Sequence, residues 1–431
     1  MELYYSFSTL IILASCFAYF NHRFIKLPGT IGVMVMALVF SVFLIVLGDK
    51  IFAEELLDEF SKLINGFDFA TVLMSVMLNF LLFAAGIHIN INDLKEQKGP
   101  IIVFSTLSVI ITAFAVAAAM FYILPFLNLE MPFIYCLIFG TLIAPTDPVA
   151  VLGVLKQAKV SKSLETKVAG ESLFNDGIAV VMFSIVVSIA RGNDVDVSFL
   201  GVSTLLLKEA GGGLLLGVIL GTLGANMMRK IDDYKISVLL TLSIVMGGAA
   251  IATSLHMSSP LAMVAAGLII GNFDKRSEMS PITKDYLSKF WELVDEILNA
   301  ILFLFIGFEL LVIRNLDNYI LPGAIAIFVV LLARYISIWV PVKVVPFKNK
   351  FSNHTIVVLV WGGIRGGVSI ALALSIVNQE YKNTILAITY IVVIFSIIVQ
   401  GLTIAKVANK GKLEEESIAE DKIPNKKGET V

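Results

Sequence analysis

Charge is scarce in this sequence. Only 15% of its 431 residues are Asp, Glu, Lys or Arg, against about 25% in an ordinary soluble domain. Histidine and cysteine are scarcer still. The four histidines (His22, His88, His256, His354) share no ligand spacing, and the two cysteines, Cys16 and Cys136, both fall in apolar runs. That excludes a disulfide framework and a Cys/His metal site, and leaves both cysteines as expected small packing residues. The N-terminus, MELYYS, has neither the basic segment of a signal peptide nor a cleavage site, so its first apolar run is expected to be retained. The net charge of −2 excludes little, because here the distribution of charge matters more than the total.

What is abundant is apolar sequence: 58% of residues are hydrophobic and the mean hydropathy is +0.89. A span needs about 20 predominantly apolar residues. Thirteen segments fit: roughly 6–21, 27–48, 69–90, 99–123, 131–155, 169–190, 209–228, 235–255, 259–273, 291–312, 318–342, 354–377 and 383–405. With the N-terminus outside, the connections then predicted to be cytoplasmic carry 24 of the 32 Lys and Arg, and the other side carries 6. That asymmetry is what the positive-inside rule requires, and one missed span would scramble it. The expected chain is an all-α polytopic protein of the cell membrane with its C-terminus cytoplasmic. Residues 1–408 form the transmembrane domain and 409–431 a short charged tail, expected to be disordered. The outside segments IFAEELLDEFSKLI and VSFLGVSTLLLKE are amphipathic and expected to lie along the membrane surface. In span seven, Gly213, Gly217 and Gly221 share a helix face suited to close packing.

The few polar residues inside spans carry the functional argument, because each is costly in lipid. Span five reads FGTLIAPTDPVAVLGVL; Pro145 and Pro148 should break the helix around Thr146–Asp147. Broken backbone at that depth survives only where it is buried in protein or lines a cavity, and it offers partial charges to ions. Span six, AGESLFNDGIAVVMF, places Ser172 and Asp176 on one stripe and Glu171 and Asn175 on the next. Their oxygens suit a hard cation. In span twelve, Gly362, Gly363, Gly366 and Gly367 flank Arg365 and mark a second break. The two breaks lie seven spans apart, which places them in opposite orientations, as in an inverted repeat of spans 1–6 and 8–13. Arg334, deep in span eleven, needs an acid, and Glu171 is the natural one.

Together the strings APTDPVAVLGVL, GESLFNDGIAVV, LLARYISIW and WGGIRGGVSIALAL resemble the electroneutral monovalent cation/proton antiporters of the NhaP type, related to the animal Na+/H+ exchangers. The resemblance spans all thirteen segments. It implies two broken helices crossing at mid-membrane, with Asp176 binding a monovalent cation and a proton in turn. Asn175 would brace the site, Ser172 and Thr146 would supply oxygens, and Asp147 would support it. Glu171 and Arg334 would be a structural ion pair, and Arg365 the arginine of the second break. A homodimer is implied; no cofactor, catalytic residue or nucleic acid is. The sequence departs from the family at span three. Many members carry an acid one or two places before a glycine there, and this chain has Ala84 and Ala85 before Gly86; Asn79 and His88 are the nearby polar groups. The expected activity is Na+/H+ exchange at 1:1, with K+/H+ exchange as the alternative and a passive channel or uniporter behind it. An intramembrane aspartyl protease using Asp147 and Asp176 would carry a GxGD-type string, which is absent.

Overall fold

A computed structural model describes residues 2–51, 69–157, 160–192, 196, 198–272, 280–311, 313, 316–347 and 351–410. The amphipathic segment after span two lies outside these residues, as does the expected tail beyond Lys410. The described chain is helical throughout, and each of the thirteen apolar segments is a helix or a broken pair of helices. Among the described residues, eight helices are long and apolar enough to cross a membrane by length and composition alone.

In chain order the elements are α1 (Glu2–Phe20), α2 (Gly29–Ile51), α3 (Ala70–His88), α4 (Lys98–Ile123), the broken pair α5 (Phe133–Ile143) and α6 (Val149–Gln157), and α7 (Lys162–Ala190). They continue with α8 (Leu200–Arg229), α9 (Tyr234–Ser254), α10 (Ser259–Asn272), α11 (Pro281–Phe308) and α12 (Ile320–Val344). The second broken pair, α13 (Asn353–Trp361) and α14 (Gly367–Leu374), and α15 (Gln379–Lys410) close the fold. Local chemistry sets the starts. Ser161, Ser280 and Ser352 each cap a helix by accepting a backbone N–H three residues on, and Pro281 follows Ser280 at the first helical position.

Two sequence expectations change here. Residues 199–229 form one uninterrupted helical run, so the described part of VSFLGVSTLLLKE from Phe199 onward extends span seven instead of forming a separate surface helix. The reason is local: Gly211 and Gly212 keep right-handed helical backbone, and only a π-turn at Leu207–Gly211 marks the join. Cys136 is buried as expected, but Cys16 is exposed on α1 and packs no core.

Between helices in lipid there is little hydrophobic driving force, so close approach must come from small residues. Gly213, Gly217 and Gly221 do this on α8, lying against Ser258, Ala262 and Ala266 at and beside the start of α10. The same device exposes the inverted repeat. A Cβ at Gly307 of α11 would stand 2.9 Å from both the Met34 carbonyl and the Leu38 amide of α2. One at Gly86 of α3 would stand 2.8 Å from the Val264 carbonyl and 3.2 Å from the Leu268 amide of α10. Span ten thus sits on span two as span three sits on span nine, by the same i, i+4 contact. Both pairs obey the seven-span offset. The largest buried cluster wraps the two broken pairs, drawing on α4, α5, α7 and α11 through α15.

Candidate functional site

The first break runs from Ala144 to Pro148. Pro145 and Pro148 offer no N–H, so the turn of helix that would pass through them cannot close. The carbonyls left at the end of α5 need donors, since buried backbone groups are nearly always paired. Arg365 supplies them: its Nη1 donates to the Ala144 carbonyl at 2.8 Å and to the Pro145 carbonyl at 3.0 Å. In return the Asp147 amide donates to the Ile364 carbonyl at 2.7 Å. The two breaks therefore cross and stitch each other. Asp147 Oδ1 also accepts from the Val149 amide at 2.8 Å, capping the start of α6.

The second break, Gly362–Gly366, is held from α15. The Arg365 amide donates to Ser396 Oγ at 2.9 Å, and Ser396 Oγ donates to Gln400 Oε1 at 2.6 Å. Gln400 Nε2 then donates to the Trp361 carbonyl at 2.9 Å. Ser396 and Gln400 begin and end a π-turn and, four residues apart, lie on one helix face. Neither residue was singled out from the sequence. The signal available was two polar residues four apart in an otherwise apolar span.

α7 presents its polar residues to this crossing. Asn175 Nδ2 donates to Thr146 Oγ1 at 2.9 Å, and Thr146 Oγ1 shares a 2.9 Å hydrogen bond with Ser172 Oγ. Asn175 and Ser172 are thus both hydrogen-bonded to Thr146 at the break. Asp176 is buried, and its carboxylate lies near enough to Asp147 for the two charges to interact. Among the described residues no cation pairs with Asp176. One turn earlier the situation reverses. Glu171 pairs with Arg334 Nη1, both side chains almost wholly buried, and Arg334 Nη2 donates to the Leu359 carbonyl at 3.2 Å.

In span three, Ala84 is fully buried and offers no ligand. Asn79 is used up in packing: it accepts from Ser259 Oγ at 2.8 Å and donates to the Ser75 carbonyl. His88 lines a large cavity instead.

That cavity, about 1390 Å³, ends at Pro148, Val149 and Leu173, one helical turn short of Asp176. Its mouth is formed by the connections between spans one and two, three and four, and five and six, together with the start of span ten. All four lie on the side that carries the excess of Lys and Arg. Five carboxylates line it (Asp93, Glu165, Glu292, Asp295 and Glu296) against two lysines, Lys26 and Lys162. Lys162 is itself paired with Asp93 at 2.8 Å. The α11 acids are the residues that sequence reasoning missed. Their spacing, Glu292–Asp295–Glu296–Asn299, is a polar stripe inside an apolar span, the same signal that singled out span six.

The site is therefore a pair of crossed broken helices, a buried carboxylate without a counter-charge among the described residues, and hydroxyl and amide oxygens on the same helix, approached from one side by an acidic cavity. Known proteins resemble the chain in sequence and in fold. The Na+/H+ antiporter NhaP of Pseudomonas aeruginosa is 45% identical over 415 residues, covering 94% of this chain and 96% of that one. The Na+/H+ antiporter NhaH of Halobacillus aidingensis is 35% identical over 351 residues, with coverage of 79% and 83%. The fold matches the structure of the sodium proton antiporter MjNhaP1 from Methanocaldococcus jannaschii at pH 8, with a TM-score of 0.73 and 20% identity. That match covers 95% of this chain and 99% of the other. Residues 11–410 match the transmembrane sodium/hydrogen exchanger family, and the chain belongs to it.

Proposed function

We propose that the protein is a secondary active transporter that exchanges Na+ for H+ one for one across the cell membrane, with Asp176 as the carrier. The observation that carries this reading is the buried Asp176 carboxylate, without a cationic partner among the described residues, one turn beyond the inner end of the cavity. A carboxylate so placed holds either a proton or a cation, and each displaces the other. Thr146, Ser172 and Asp147 add oxygens of the kind a hard monovalent ion takes in place of water. Asn175 is neutral, so one charge travels each way and the exchange is electroneutral.

Alternating access is the mode of action, with the described conformation open on the cytoplasmic side. The charge bias supports that orientation, with the N-terminus outside and the C-terminus inside. A homodimer is the assembly implied by the family resemblance. With alanines at 84 and 85, selection among Na+, Li+ and K+ falls to the hydroxyls and to Asp147.

The test is a proton-gradient dye in everted vesicles challenged with Na+, Li+ and K+ in turn. The wild type collapses the gradient with Na+, and D176N loses the response with every cation. A D176N protein that still responds overturns the central claim. Exchange driven by membrane potential alone, in valinomycin-clamped vesicles, overturns the 1:1 stoichiometry. A response to K+ in place of Na+ transfers the reading to K+/H+ exchange.

A further inference from the structure

The exchange reading leaves part of both buried arginines unused. Arg365 gives its Nη1 to the Ala144 and Pro145 carbonyls; Arg334 gives Nη1 to Glu171 and Nη2 to the Leu359 carbonyl. Arg365 Nε and Nη2, which form one edge of its fork, and Arg334 Nε make no hydrogen bond among the described residues. All three are buried. Both guanidiniums line one small cavity between α12, the second break and α15. Its volume is about 10 Å³, room for a single water-sized body. Gly363 keeps it open, since a Cβ there would stand 2.7 Å from Arg334 Nε and 3.3 Å from its Cζ. The other polar side chain on the wall, Gln400, is engaged: its Oε1 accepts from Ser396 Oγ and its Nε2 donates to the Trp361 carbonyl. Among the described residues no carboxylate lines the cavity, and none is paired with Arg365.

The donor set decides what such a space takes. A guanidinium offers N–H donors only and keeps its charge when buried. A water accepting from two of these groups would have two hydrogens of its own to place. The side chains on the wall offer it only the engaged Gln400 Oε1. An anion accepts from all three and has no hydrogen to place. It also meets the charge: two guanidiniums face this space, and Glu171 answers one of them from beyond the cavity wall. The volume leaves no room for phosphate or sulfate. We infer that the cavity is an anion site, holding one monatomic anion of the halide class between Arg334 and Arg365. The bound ion fastens span eleven to the second break, with the Arg365 edge as a two-toothed fork. Asp176 is not on its wall, and the inference does not rest on the exchange reading.

The test uses the purified full-length protein at constant Na+ concentration, with bromide as the probe. Crystals grown in sodium bromide and measured at the bromine absorption edge are expected to show an anomalous peak between Arg334 Nε and the Nε–Nη2 edge of Arg365. In solution, replacing gluconate by chloride or bromide at millimolar levels should raise the thermal midpoint by on the order of 2 °C, and the rise should saturate. Sulfate strengthens burial in general but is too large for the cavity, so it should give no saturating rise at these levels. G363A, whose methyl group fills the space beside Arg334 Nε, is expected to lose the halide-dependent rise. No bromide peak between the guanidiniums, with or without a water there, overturns the site. So does a midpoint that is equal in gluconate and bromide, or a G363A protein that keeps the full rise. The diffraction measurement needs no variant and decides the question by itself where G363A fails to fold.

Discussion

Glu171 and Asp176 sit five residues apart on one helix, both buried, and the protein treats them in opposite ways. Glu171 is matched to Arg334, whose guanidinium also serves the Leu359 carbonyl; the charge is neutralised where it stands. Asp176 follows Asn175 and lies one turn beyond Ser172 on the same helix, with Asp147 near enough for the two charges to interact, and no cation pairs with it among the described residues. Burying a carboxylate costs several kcal/mol unless it is paired. The protein meets that cost at Glu171 with its own arginine. At Asp176 it leaves the cost to whatever arrives: a proton or a cation. The first arrangement is a fastening and the second is a binding site. What separates them is only whether the counter-charge is covalently part of the chain.

The comparison is sharpened most by neutralising each acid in turn. E171Q leaves the Arg334 guanidinium buried without its partner and should cost about 3–5 kcal/mol, as breaking one half of a buried pair does. D176N removes a charge that has no partner and should leave the thermal midpoint unchanged or raise it, while abolishing exchange. Midpoints in detergent measure both. Equal losses of stability in the two variants would show that Asp176 is also a fastening, and the distinction would collapse.

A finer version uses two glycines of the second break that face the two regions. A Cβ at Gly363 would stand 2.7 Å from Arg334 Nε and press on the ion pair. A Cβ at Gly366 would collide with the Asp147 carboxylate and press on the transport site. G363A is expected to lower stability by about 1–3 kcal/mol, the usual cost of overpacking, with exchange rates per folded molecule largely kept. G366A is expected to lose most exchange, because the Asp147 side chain must shift within the first break. Exchange normalised to the monodisperse fraction distinguishes them. The reverse pattern would place the functional boundary elsewhere in the break.

Much of this was legible in the sequence for a physical reason: lipid makes polar residues expensive, so those that remain are informative. Pro145, Pro148, Glu171, Asn175, Asp176, Arg334 and Arg365 all announced themselves as exceptions, and the structure joins them in one crossing. The Glu171–Arg334 pair followed from the cost of a lone guanidinium. The partners of Arg365 did not, because its bonds run to the carbonyls of Ala144 and Pro145, and backbone acceptors leave no trace in residue types. Ser396 and Gln400, four apart and so on one helix face, went unread because nothing in residue types points to the Arg365 amide and the Trp361 carbonyl that they serve. The α11 stripe was visible but unread, since acids near a span's end also occur at interfaces. The extension of α8 outward was missed because an amphipathic pattern does not say where a helix bends.

A third carboxylate, outside the spans, completes the comparison with the smallest expected effect. Asp232, in the connection between α8 and α9, accepts from the Ser280 amide at 3.1 Å, Ser280 Oγ at 2.9 Å and Thr283 Oγ1 at 2.8 Å. It ties that connection to the start of α11. The Thr283 and Ser280 hydrogen bonds hold its pKa below the ordinary value of 3.8. A carboxyl whose pKa is depressed by folding adds stability above its unfolded pKa, and that contribution is lost as pH falls through the folded one. Being fully exposed, it is screened and contributes little. D232A should therefore lower the thermal midpoint slightly at neutral pH, and the gap from wild type should close as pH falls through the depressed pKa of Asp232. Exchange should be unaffected, unlike either buried acid. A gap that stays constant with pH would mean that shape, not charge, holds the connection. The gradation from Glu171 through Asp176 to Asp232 would then describe packing alone at its outer end, while still separating the two buried acids by what neutralises them.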